Sequence, residues 1–134
     1  MIKVFISVPM KNRKKEDIEY SIRKMKRIAR AYLAENDIEA ENINFINTIV
    51  QENPPKEVDA RVWYLGASIQ LLSKADYLIC PADTYYIHGC EIEKHVFKAY
   101  KEYGHIIEIP NEFIYTETEL HSGYAADECK EIAD

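Results

Sequence analysis

Apolar residues along this chain fall into two alternating patterns, short continuous runs and longer stretches at helical spacing. "IKVFISV" (2–8) is apolar and β-branched and is stopped by Pro9, as expected of a buried strand. From about Glu16 to Glu35, Ile18, Ile22, Met25, Ala29 and Tyr32 recur at helical spacing with charges between them. "INFIN" (43–47) is a weaker second strand, and the Pro54–Pro55 pair excludes helix until after Pro55. In "EVDARVWYLGASIQLLSKA" a stripe of Val58, Val62, Leu65, Ile69 and Leu72 predicts a helix packed on the sheet. Trp63, Ala67 and Leu71 widen that stripe, which predicts a second buried surface. "DYLICP" (76–81) reads as a third strand and "HIIEIP" (105–110) as a fourth. Between them "HGCEIEKHVFKAY" (88–100) predicts a helix with Ile92, Val96, Ala99, Tyr100 and Tyr103 on its inner face.

Strands that alternate with helices define an α/β class. The expected architecture is an open, mainly parallel sheet of four to five strands with helices on both faces, Rossmann-like or flavodoxin-like. The α/β domain is placed at residues 1–110. Residues 111–134 form an extension, either part of the same domain or reaching a partner subunit, and "AADECKEIAD" suits a short terminal helix.

Composition changes this picture little. With 134 residues, 47% hydrophobic and 30% charged, the chain can build one real core and is not compositionally disordered. A net charge of −6 argues against a nucleic-acid polymer as partner. Cys80, Cys90 and Cys129 lack zinc spacing and form an odd set, as for reduced thiols in a cytoplasmic protein. No apolar run reaches membrane-spanning length, so no membrane partner is expected.

In an open α/β sheet the ligand crevice lies beyond the carboxyl ends of the strands, where strand order reverses. That rule brings "PMKNRKK" (9–15) beside "PADTYYIHGC" (81–90). The first loop offers Lys11, Arg13, Lys14 and Lys15 ahead of a helix N-terminus, either an anion site or a solvated basic turn. The second offers Asp83, Tyr85, Tyr86, His88 and Gly89, with Gly89 suited to a close ligand approach or a sharp turn. His88, Cys90 and His95 lack recognised ligand spacing, so neither metal nor cofactor is expected. Glu91 and Glu93 both oppose the helix dipole. Glu93 differs in having Phe97 and Tyr100 at i+4 and i+7, which sets its carboxylate over aromatic surface at the crevice mouth. An ionised carboxylate there attacks an electrophilic carbon without an activating base.

"KVFISVPMKNR", "WYLGASIQLLSKADYLI" and "GCEIEKHVFKAYKEYG", in this order, resemble a family of small phage and bacterial proteins. That family is related to nucleoside 2-deoxyribosyltransferases and nucleotide N-hydrolases, and the resemblance covers about residues 2–109. It implies that Glu93, preceded by Gly89, is the nucleophile that attacks the anomeric carbon. It implies further that Ser7, Met10 and Arg13 contact the sugar and any 5′-phosphate, and that Asp83 handles the base or sugar hydroxyls. Asn12 stands where relatives commonly carry glycine, and asparagine tolerates the left-handed backbone such a turn needs. The loop "ADTYYIHGC" lacks the Gly-Trp that many relatives show.

Two functions compete on this reading. One is cleavage or transfer of the N-glycosidic bond of a nucleoside or nucleoside 5′-monophosphate, with Lys11 and Arg13 favouring a phosphorylated substrate. The other is a non-catalytic, sequestering nucleotide-binding protein, phage-encoded in some members, in which Tyr85 and Tyr86 stack on bases. A homodimer or higher homo-oligomer built on the helix from about Val58 to Ala75 is expected in either case, with Trp63 as its anchor.

Overall fold

The computed structural model describes residues 1–122. Four strands, β1 (Ile2–Ile6), β2 (Ile43–Phe45), β3 (Tyr77–Pro81) and β4 (His105–Ile109), form one parallel sheet in the order β2-β1-β3-β4. Helices α1 (Lys15–Glu35), α2 (Ala60–Leu72) and α3 (His88–Tyr100) connect them. The open, mainly parallel α/β architecture expected from the alternation is observed, with four strands, all parallel, among the described residues.

Two apolar clusters sandwich the sheet. On one face Val4, Ile6 and Val8 meet Met25, Ala29 and Leu33 of α1, with Ile79, Ile107, Ile109 and Ile114. On the other, Phe5, Leu78 and Cys80 meet Leu72 of α2 and Phe97 of α3. Full burial of each such side chain contributes roughly 1.5–3 kcal/mol. Strand alternation assigns Phe5 and Ser7 to the α2/α3 side, and this decides where the Ser7 hydroxyl points. Glycine is required at position 104, because a Cβ there would lie 2.5 Å from Cζ of the buried Phe97 ring.

Two helix faces differ from the pattern-based expectation. In α3 the buried residues are Cys90, Glu93 and Phe97, while Tyr100 is 81% exposed and Ile92, Ala99 and Tyr103 are exposed as well. Tyr100 is the last residue of α3 and Tyr103 lies beyond it, both past the last buried position, Phe97. In α2 only Leu72 is buried; Val58 and Val62 are exposed, Leu65 and Ile69 half-buried, and Leu71 packs against the α2/α3-side core. This helix is apolar nearly all round, so periodicity could not tell which side would meet the sheet. Asp59 caps it, accepting from the backbone N–H groups of Arg61 and Val62.

After β4 the chain makes a 3₁₀ turn (Asn111–Phe113) and a short helix, α4 (Glu117–His121). Thr116 and Glu119 form a capping box that starts α4. Ile114 and Tyr115 are buried, so this part of the extension belongs to the same domain. The helix expected over "AADECKEIAD", and Cys129, lie outside the described residues. Among the described residues no helix is long and apolar enough to cross a membrane.

Candidate functional site

β3 lies on the opposite side of β1 from β2, so strand order reverses between β1 and β3. A cavity of about 750 Å³ opens there, beyond the carboxyl ends of these strands. Its wall is mostly apolar, with Ile18 and Ile22 of α1, Ile49 and Val50 of the loop before α2, and Leu65 of α2. That size and lining suit a small organic ligand held by a few polar groups.

Those polar groups converge on Glu93. Its side chain enters from α3 and is 7% exposed. Ser7 Oγ donates to Oε1 at 2.7 Å and Ser68 Oγ donates to Oε2 at 2.5 Å. Ser7 follows β1 directly and Ser68 lies on α2, so three elements of different sequence position fix one carboxyl group. Burial pushes the Glu93 carboxyl above its ordinary range, and the two serine bonds partly offset that. Each carboxylate oxygen keeps lone pairs beyond the one bond it accepts, and the group faces an organic-sized cavity.

Glu91 is held differently. It is exposed and accepts a hydrogen bond from the Thr84 hydroxyl, so it secures the β3–α3 loop and does not line the cavity. The sequence reading gave Glu91 no special neighbour; Thr84, seven residues earlier, is that neighbour.

The other residues singled out in the sequence divide. Ser7, Met10, Lys11, Arg13, His88 and Gly89 all line the cavity with Glu93. Gly89 sits in the first turn of α3, where an added Cβ would meet nothing within 4 Å. Neither close packing nor a left-handed backbone therefore requires glycine at this position. Asp83 is not among the cavity residues: its carboxylate accepts from the Tyr85 N–H at 3.1 Å and its backbone pairs with the Asn111 side chain. A self-capping aspartate turn of this kind directs the carboxylate to its own backbone.

Arg13 lines the cavity and has a partner that was not expected. Its guanidinium makes a two-pronged pair with Glu119, with both distances 2.8 Å, and donates further to Pro9 O and Ser21 Oγ. The Arg13 bonds and the Thr116 contacts outweigh the effect of burial and hold the Glu119 carboxyl below its ordinary range. The basic cluster of the first loop is thus split between a buried structural arginine and the exposed Lys11, Lys14 and Lys15. Asn12 has φ 59°, and Arg13 N–H bonds Met10 O at 3.2 Å, so the loop makes the left-handed turn that asparagine tolerates.

Sequence reasoning missed Ser68 and Glu119. Ser68 lies one helical turn before the buried Leu72, so a polar residue on that face was the available signal. Among the described residues no group of three or more His, Cys, Asp or Glu side chains is arranged to hold a metal ion. No family model, curated protein or solved structure matches this chain.

Proposed function

We propose that the cavity binds a nucleoside or nucleoside 5′-monophosphate and that Glu93 cleaves its N-glycosidic bond. The observation that carries this reading is a single buried carboxyl group, held by two serine hydroxyls at the head of an organic-sized, apolar cavity. The resemblance of the three quoted segments to nucleoside 2-deoxyribosyltransferase-like proteins supports the same role for Glu93. In the first step a Glu93 carboxylate oxygen bonds to C1′ and the C1′–N bond breaks. The base leaves with the bonding electrons and takes a proton from water or from His88 at the cavity wall. Water then attacks C1′, releases the sugar and regenerates the carboxylate, with net retention at C1′ as in retaining glycosidases. A second base in place of water gives transfer.

Incubation with a panel of nucleosides and 5′-monophosphates, followed by chromatography of free bases, tests this. Release of at least one base is expected, and intact substrates throughout would sink the catalytic reading. A second reading is non-catalytic sequestration of the same ligands, favoured by the placement of Asp83 outside the cavity, which leaves Glu93 without that acidic partner. Ligand binding without product would establish it.

The proposal includes a cytoplasmic homodimer. The buried thiol of Cys80 fits a reducing compartment, and burial pushes it up to about 12, which makes it unreactive. The dimer surface is the outer side of α2, where Val58 and Tyr64 are exposed, Val62 is 67% exposed and Trp63 packs edge-on against Tyr64. Light scattering at micromolar concentration is expected to give twice the monomer mass, and Val62→Asp to halve it. A monomeric parent protein would remove the interface.

A further inference from the structure

The place where the cavity could grip a phosphate is already filled by the chain's own carboxylate. The Arg13 side chain has no exposed surface, and Glu119 opposite it is 5% exposed. Nε donates to Glu119 Oε2 and Nη2 to Glu119 Oε1, each at 2.8 Å. Nη2 also donates to Ser21 Oγ at 2.7 Å and Asp17 O at 3.2 Å, and Nη1 donates to Pro9 O at 2.8 Å. The Tyr115 ring lies 4.8 Å from the guanidinium carbon. Paired parallel N–H donors on two oxygens are the geometry in which arginine grips a phosphate monoester as well as a carboxylate.

We propose that Glu119 is an internal counter-anion that makes the cavity discriminate against ligands carrying a phosphate toward the β1–α1 loop. For the function proposed above, on which the ligand's identity rests, this narrows the substrate to the unphosphorylated nucleoside. An entering phosphate must either displace Glu119 from a buried pair or share the cavity with the Glu93 carboxylate without a guanidinium to receive it. Displacement strands a buried charge, and the second arrangement sets like charges together in a poorly solvated space. The lysines of the same loop do not substitute for Arg13. Lys11 is exposed, and Lys15 is 90% exposed and lies 4.0 Å from Glu19, so water and salt weaken their pull on an anion. Glu119 does not itself line the cavity but holds the guanidinium of Arg13, which does, and is thereby a specificity-determining residue.

The Nε–H resonance of Arg13 in two-dimensional NMR of the whole protein provides a direct readout. In the parent protein, millimolar inorganic phosphate is expected to leave this signal in place. Each nucleoside is expected to bind at least about tenfold more tightly than its 5′-monophosphate, a difference of about 1.4 kcal/mol. In Glu119→Gln the preference should shrink or reverse, and phosphate should move the Arg13 signal. A parent protein whose Arg13 signal is displaced by phosphate, or which binds monophosphates as tightly as nucleosides, overturns the proposal, as does an unchanged preference in Glu119→Gln. Should that variant not fold, the parent's phosphate titration decides by itself. If neither nucleosides nor monophosphates bind, the proposed function falls, and the phosphate titration still upholds or overturns the counter-anion.

Discussion

Glu93→Gln is expected to release no measurable base and yet to melt at a higher temperature than the parent protein at neutral pH. The first half follows from the role of nucleophile: an amide in the same place cannot form the glycosyl ester. A loss of at least about a thousandfold, or about 4 kcal/mol of barrier, is the scale to look for. The second half follows from burial. The folded state raises the Glu93 carboxyl above its ordinary value of 4.5, so the folded chain binds that proton more tightly than the unfolded chain does. As pH rises from the ordinary value through the raised one, ionising Glu93 costs the folded state more, and stability falls. Glutamine removes that cost while keeping shape and hydrogen-bonding capacity. The stability gain should vanish below the ordinary glutamate range, where the parent carboxyl is protonated both folded and unfolded. Glu91→Gln, which alters only the bond accepted from Thr84, should keep base release within a few-fold of the parent. Equal activity in Glu93→Gln and parent removes Glu93 from the chemistry, and a lower melting temperature at neutral pH contradicts the desolvation account. The parent's base release should rise with pH along a limb displaced above ordinary glutamates, and Ser68→Ala should move that limb further up, because one bond that favours the ionised form is gone.

The largest loss of stability is expected from Arg13→Met. The substitution leaves the Glu119 carboxylate buried without its guanidinium, which costs about 3–5 kcal/mol. It also removes the side-chain donor to the Pro9 carbonyl and one of the two bonds of the Ser21 hydroxyl, which keeps its bond to Ile114 O. Arg13→Lys should recover little, because one ammonium cannot span acceptors laid out for a planar fork. The double variant Arg13→Met/Glu119→Leu should be more stable than Arg13→Met alone, since no charge is then left behind. The folded state holds the Glu119 carboxyl below its unfolded value, so its contribution is present above that value and is lost as pH falls through the folded one. The gap between parent and Arg13→Met, measured by urea unfolding, should therefore narrow in acid. A double variant whose loss equals the sum of the two single losses would show that the pair is not coupled.

The sheet was legible because β1, β3 and β4 are short apolar runs bounded by proline, glycine or charge, and their order along the chain leaves few arrangements of a parallel sheet. The neighbourhood of the loops after β1 and β3 was legible from the same topology, through the switch-point rule, but the bond from Ser7 to Glu93 was not. Hydrophobicity misled at α3, where it favoured Tyr100 and Tyr103 over a stripe that includes Glu93, because a core-facing carboxyl lowers the apparent amphipathicity of its own face. At α2 an apolar surface on all sides carried no directional signal. The partner of Arg13 was not legible for a different reason. A basic cluster invites an external anion, and nothing local announces that a carboxylate 106 residues later will occupy it.

That separation has a consequence for how the protein comes into being. β1 and the loop that follows it are synthesised first, and the apolar strands can collapse as soon as β3 has emerged from the ribosome. The Arg13 guanidinium, however, has no carboxylate to meet until residue 119 follows. A nascent chain halted after β4 would carry a complete sheet and a complete Glu93, but the loop beside them would lack the clasp that shapes it. The shaping of the β1–α1 loop would thus arrive later than the four strands, as a separate event of assembly.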